Sequence, residues 1–193
     1  MRVDETDPSG LLLIEPRCFQ DERGFFLETF HLERYGAGGI VHGFVQDNHS
    51  RSRQGVLRGL HFQIKRPHAQ IVTVTRGRIF DVAVDLRPDV GDVWALAGCR
   101  IKRRHGTRIR ARILCAQRLR RCALQSESAV DGANEGGLVW NDADVGICWP
   151  IADPIVSQRD SAYPALRQLD RARPSVPAPI FSSVRLTNPY PKI

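Results

Sequence analysis

An all-β fold, a small antiparallel sandwich or barrel, is what this chain predicts. Short runs rich in β-branched and aromatic residues recur between turn residues from Leu11 to Leu86, helical periodicity is scarce, and two of the runs are joined by a tight Arg76-Gly77 link. Such spacing belongs to sheets that fold back on themselves rather than to strands alternating with helices.

Taken in order, the strand runs are GLLLIEP, GFFLETF, FVQDNHS, IVTVT and RIFDVAVDL. In the last, Val82, Val84 and Leu86 alternate with Ala83 and Asp85, as in a strand with one face on the core. The best short helix candidate is LETFHLERYG, Leu27 to Gly36, with Gly36 placed to end it. After Gly136, LVWNDADVGICWPI returns to the idiom of strand and turn, and the Pro-rich RPSVPAPIFSSVRLTNPYPKI closes a loosely ordered or partner-packed tail, 167–193. No internal repeat interrupts this order, and 193 residues fit a single domain, 1–193, able to bury a core.

Composition narrows the setting. Apolar residues at 42% and charged residues at 25% are globular values, and no stretch approaches the roughly 18 apolar residues of a membrane span. The acidic start MRVDETD is unlike a signal peptide. Five cysteines, without a CxxC pair or His at zinc spacing, read as the thiols of a cytoplasmic protein. The net charge of +7 is unevenly spread: ten Lys or Arg and no acid lie between Val93 and Ser126, so the rest of the chain carries a formal charge of −3.

The run QDNHSRSRQGVLRGLHFQ, Gln46 to Gln63, has polar side chains too dense for a core strand and too well placed between β runs for disorder. Arg58 and His61 fall on opposite faces of a regular strand; a turn at Gly59 brings both toward one cavity. On its own, a strand His is either a hydrogen-bonded structural residue or a base, and Arg58 either a ligand or the partner of a carboxylate. No second His stands at the spacing a small β-barrel uses for a metal, and His68 falls in a loop, so no metal and no cofactor is expected.

FQDERGFFLETF, FVQDNHSRSRQGVLRGLHFQ, RGRIFDVAVDLRP, EGGLVWNDADVGICWPI and VSQRDSAYPAL together resemble, in order, the dTDP-4-dehydrorhamnose 3,5-epimerase family. The resemblance implies a metal-free cupin-type antiparallel β-barrel (jelly-roll) that works as a homodimer and inverts C3 and C5 of a dTDP-linked 4-keto sugar in dTDP-rhamnose biosynthesis. It implies His61 as the base and Asp160 as the carboxylate that orients it. A proton on carbon beside a ketone is acidic enough for such a pair because its removal gives an enolate. It further implies substrate contacts from Arg23, Phe26, Glu28, Gln46, Asp47, Asn48, Arg58, Glu135 and Arg159; cationic forks suit a diphosphate. Phe25 and Phe26 either flank the thymine or pack in a strand's core.

Two departures stand out. The family's Lys after His-Ala-Gln is missing, because His68-Ala69-Gln70 runs straight into Ile71. Between Val93 and Glu135 the family's Gly-Phe-Ala-His-Gly-Phe motif and its acidic Tyr are not visible, and Leu124 stands at the Tyr position. RIRARIL, Arg108 to Leu114, can be encoded as CGG ATT CGC GCA CGG ATT CTG; one nucleotide later the same string reads Gly-Phe-Ala-His-Gly-Phe. Gln117-Arg118 and Leu124-Gln125 likewise yield the family's Ser and Tyr. The segment of about 93–126 therefore reads as translated out of frame, and the nucleotide sequence across it decides the point. Its alternatives are a basic surface strand or helix, and an arginine-rich nucleic-acid arm, against which the missing interleaved aromatics count. For the whole chain the alternatives are a single epimerase or ketoisomerase, an impaired relative that only binds the sugar nucleotide, and a nucleic-acid module. The expected partners are a dTDP-sugar and a second copy, with no nucleic acid and no membrane.

Overall fold

The computed structural model describes residues 1–6, 11–64, 69–84, 86, 96–100, 114–115, 120–126, 132–171 and 183–186. In chain order the strands are β1 (Arg2–Thr6), β2 (Leu11–Glu15), β3 (Cys18–Asp21), β4 (Gly24–Leu27), β5 (Gln46–Ser52), β6 (His61–Gln63), β7 (Gln70–Arg76), β8 (Ile79–Val84), β9 (Leu96–Arg100), β10 (Leu114–Cys115), β11 (Arg120–Ser126), β12 (Glu135–Gly137) and β13 (Ser183–Leu186). The helices are α1 (Leu32–Ala37) and α2 (Gln158–Ser161), so the expected all-β class holds.

The main sheet runs β1-β2-β13-β7-β11-β5; a second runs β10-β8-β9; β12-β6 and β3-β4 are two-stranded ribbons. The pairings are antiparallel except that β13 lies parallel to both β2 and β7. Within the stretch expected as a loosely ordered or partner-packed tail, Ser183 to Leu186 forms an inner strand that fills the ladder between Leu11–Ile14 and Ile71–Thr73. β11 is also internal, pairing along β5 from Arg120 opposite Ser52 to Ser126 opposite Gln46, and along β7 on its other side. Of the Arg-rich stretch, 108–113 and 116–119 lie outside the described residues, whereas Arg120 and Arg121 belong to this inner strand.

Two local expectations change. The helix begins at Leu32 rather than Leu27, because Leu27 is held in β4 opposite Cys18 and His31 caps the helix, its ring accepting from the Arg34 amide. It runs past Gly36 to Ala37, where the Gly38 amide closes the last turn on the Arg34 and Tyr35 carbonyls. β8 does not have a single core face. Val82 and Val84 join the cluster of Leu60, Phe62 and Leu138, while Ala83 packs with Leu11 on the other side. Alternation of Val with Ala looks like inside and outside in sequence, yet a strand covered on both faces uses the small residue where its neighbour is close. A separate core gathers Leu12, Ile14, Tyr35, Ile40 and Ile71 under α1.

Candidate active site

The β6-β12 ribbon sits over the Leu60, Phe62 and Leu138 core. In its register His61 is opposite Gly137 and Gln63 opposite Glu135, making His61 and Glu135 diagonal neighbours across two antiparallel strands. Just before β6 the chain turns at Gly59, whose φ of 124° is a conformation only glycine adopts readily. Arg58, ahead of that turn, is exposed and donates to Ser52 Oγ at 3.1 Å, while His61 is buried. The turn therefore separates the two side chains' partners in this structure.

Asp160 arrives from α2, a single turn whose N-cap Ser157 accepts from the Asp160 amide at 3.0 Å. Its carboxylate is buried and makes two contacts: Oδ2 accepts from the Gly59 amide at 3.1 Å, and Oδ1 lies 2.6 Å from His61 Nε2. On the other side of the ring, Glu135 Oε1 is 3.0 Å from His61 Nδ1. Arg159 holds the second Glu135 oxygen at 2.9 Å and lies 3.9 Å from Asp160 Oδ1. Burial pulls the Arg159 guanidinium down, but the charge of Glu135, the Tyr163 phenol and the hydrogen bond to Glu135 outweigh it and raise its affinity for its proton. An imidazole between two carboxylates, closed off from water, is built to hold or pass a proton.

Tyr163 completes the cluster and was not singled out in the sequence. Its ring meets His61 edge-on, with centroids 5.6 Å apart. A Cβ at Gly137 would lie 2.4 Å from that ring, so Gly137 is the opening through which Tyr163 reaches the base. The following loop is fastened by Asp142, buried, whose Oδ1 accepts from the amides of Asp144 and Val145 and whose Oδ2 accepts from Leu166. Those bonds hold 142–145 against the 3-10 turn at Leu166–Arg171, immediately beyond α2 and Tyr163. WND and SQRD carry no spacing signal that they meet.

The other expected ligands lie apart from this cluster's bonds. Arg23 is exposed on the β3-β4 hairpin and pairs with Asp21 at 2.5 Å. Glu28 pairs with Arg34. Phe25 and Phe26 are exposed on the same hairpin, Phe26 at 71%. Along β5 burial alternates: Gln46 and Asn48 share the more covered face, with Gln46 Nε2 donating to Asn48 Oδ1 at 3.0 Å, and Asp47 turns to solvent. Leu124 lies in the ladder between Asn48 and Val72. The recovered second His position, Ala111–Arg112, and His68 lie outside the described residues. Ile71, where the family's Lys is missing, is fully buried in the core under α1. Among the described residues no group of three or more His, Cys, Asp or Glu is arranged to hold a metal ion. No helix among them is long and apolar enough to cross a membrane.

Comparison with known proteins gives a consistent result. The family model for dTDP-4-dehydrorhamnose 3,5-epimerase matches residues 5–168. A dTDP-4-dehydrorhamnose 3,5-epimerase of Methanothermobacter thermautotrophicus is 37% identical over 180 residues, 86% of this chain and 95% of its own. Among solved structures, dTDP-6-deoxy-D-glucose-3,5-epimerase from Legionella pneumophila Philadelphia 1, in complex with dTDP-4-keto-L-rhamnose, superimposes with a TM-score of 0.81 at 31% identity, covering 92% of this chain and 99% of that one. A 3'-monoepimerase from Streptomyces bikiniensis, in complex with dTDP-quinovose, reaches a TM-score of 0.74 at 27% identity, covering 86% and 89%.

Proposed function

The chain belongs to the dTDP-4-dehydrorhamnose 3,5-epimerase family, and from that membership we propose which of its residues carry the reaction. The activity is that of an isomerase: epimerisation of dTDP-4-dehydro-6-deoxyglucose at C3 and C5 on the way to dTDP-rhamnose. His61 is the base and Asp160 its orienting partner. The observation that carries this reading is the buried 2.6 Å contact between two residues 99 positions apart, each in a motif of the family. Asp160 takes Nε2, so Nδ1 is the nitrogen that receives the proton from carbon beside the C4 ketone. The electron pair passes to the C4 oxygen as an enolate, and cationic or amide donors nearby stabilise that charge.

Gln46, Asn48 and Arg58 are the proposed contacts to the sugar nucleotide from this chain's own sheet. Arg23 and Phe26 lie exposed on the β3-β4 hairpin and Glu28 follows it, paired with Arg34, all three apart from the His61 hydrogen bonds. They fit a hairpin offered to a second copy of the chain, which is the homodimer this reading includes, with the nucleotide held between copies. The setting proposed is the cytoplasm.

A second reading is favoured by one position. Leu124 stands where the family's acidic Tyr is expected, and a leucine side chain cannot return a proton to the opposite face. Proton removal then outlasts inversion. Incubating dTDP-4-dehydro-6-deoxyglucose in D2O separates the two by mass and by product analysis. Deuterium incorporation that disappears in His61→Ala is expected, with exchange exceeding inversion. Exchange that persists in His61→Ala removes His61 from the base role.

A further inference from the structure

A base needs a lone pair that the substrate can reach, and His61 presents neither ring nitrogen open. Nε2 faces Asp160 Oδ1 at 2.6 Å and Nδ1 faces Glu135 Oε1 at 3.0 Å. Carboxylate oxygens only accept, so each contact requires a proton between the atoms. Either the ring is an imidazolium or one carboxyl is in its acid form, and in both states Nδ1 is covered. One of the carboxyl groups must withdraw before carbon can be deprotonated.

The surroundings identify which. Asp160 is fixed from three sides: the Gly59 amide on Oδ2, His61 on Oδ1, and its own amide on Ser157. Glu135 lies on the short β12 strand, and a partner of its second oxygen is Arg159, whose side chain is 54% exposed. That guanidinium is the half-open end of the cluster.

We propose that Glu135 is a positioning residue that caps Nδ1 of His61 in the substrate-free protein, with Arg159 as its latch, and that the substrate's diphosphate uncaps the base by drawing Arg159 away. This rests on the reading of His61 as the base. The proton balance is simple. As Glu135 leaves, the proton shared between Nδ1 and Oε1 goes with it as the carboxylic acid. His61 keeps its Nε2 proton toward Asp160 and is left with a lone pair on Nδ1. The carbon-bound proton of the substrate then moves to Nδ1, and the electron pair to the C4 oxygen.

The test is the rate at which diethyl pyrocarbonate modifies His61 in the full-length, substrate-free protein, read at the His61 peptide by mass spectrometry. Glu135→Ala is expected to raise that rate by about ten-fold or more, the scale of one hydrogen bond to a charged group. Glu135→Gln, whose amide still reaches Nδ1, stays near the wild-type rate. Inorganic pyrophosphate, which brings the diphosphate without covering the sugar site, is expected to accelerate modification in the wild type but not in Arg159→Ala. Because Arg159 is at the surface, Arg159→Ala keeps the question open to measurement even where Glu135→Ala does not fold. An unchanged rate in folded Glu135→Ala overturns the cap, and a rate in Arg159→Ala no higher than that of the wild type overturns the latch. Pyrophosphate without effect on the wild type overturns the latch. A Glu135 that is merely a sugar contact raises KM in Glu135→Ala and leaves His61 modification untouched. The modification rates need no turnover, so they stand apart from the D2O exchange experiment that tests His61 as base.

Discussion

Asp160→Asn keeps the volume of the side chain and reverses half of its hydrogen bonding. Its oxygen can still accept from Gly59, which turns the amide toward His61 Nε2 and fixes the proton on the wrong ring nitrogen. Solvent exchange at the sugar carbon should fall by about 10²–10⁴-fold, as for loss of a positioned acid or base, in a variant whose thermal transition shows it folded. A loss under about three-fold would mean that Asp160 does not set the tautomer. At this scale the motifs carried much of the reading: RGLHFQ and SQRD each pointed to a residue, and the structure joins them. Glu135 and Tyr163 were less legible. EGG marks a position without telling that a two-stranded register sets its carboxylate diagonally on the His, and nothing in SAYPAL tells that its ring fills the space above Gly137.

The α2 turn is too short to be stable by itself, and its use is to present Asp160. Ser157→Ala removes the cap and should cost about 1 kcal/mol in a denaturant titration. Exchange activity should drop by more than that loss of folded protein explains, since the lost bond is to the Asp160 amide itself. Equal and small effects on both would show α2 to be held by other contacts. Element boundaries were legible only where local chemistry decides them. Periodicity in Leu27 to Gly36 could not show that Leu27 is claimed by the β3-β4 hairpin, and Val-Ala alternation in β8 could not show that both faces are covered. Both are decisions made by residues distant in sequence.

Across the molecule, the least expected result is where the unusual segment goes. Composition set 93–126 apart from the rest, yet Arg120–Ser126 closes a ladder on both edges between β5 and β7. Ala123→Pro would remove a ladder amide between His49 and Thr73 and clash with the sheet, costing about 3 kcal/mol or more; we expect loss of a cooperative thermal transition. A variant as stable as the parent would show this strand to be dispensable. The all-β class was legible because turn residues and β runs alternate visibly, whereas β13 was not, since a Pro-rich neighbourhood hides a strand whose partners lie at 11–14 and 71–73. The bond between His61 and Asp160 spans 99 positions, and the amide contact from Gly59 spans 101. Closing a loop of that length comes late, after the local hairpins have formed. On dilution from denaturant, then, far-ultraviolet ellipticity should recover first and His61-dependent deuterium exchange should follow with a lag, so that freshly refolded chains look native by spectrum while still catalytically silent.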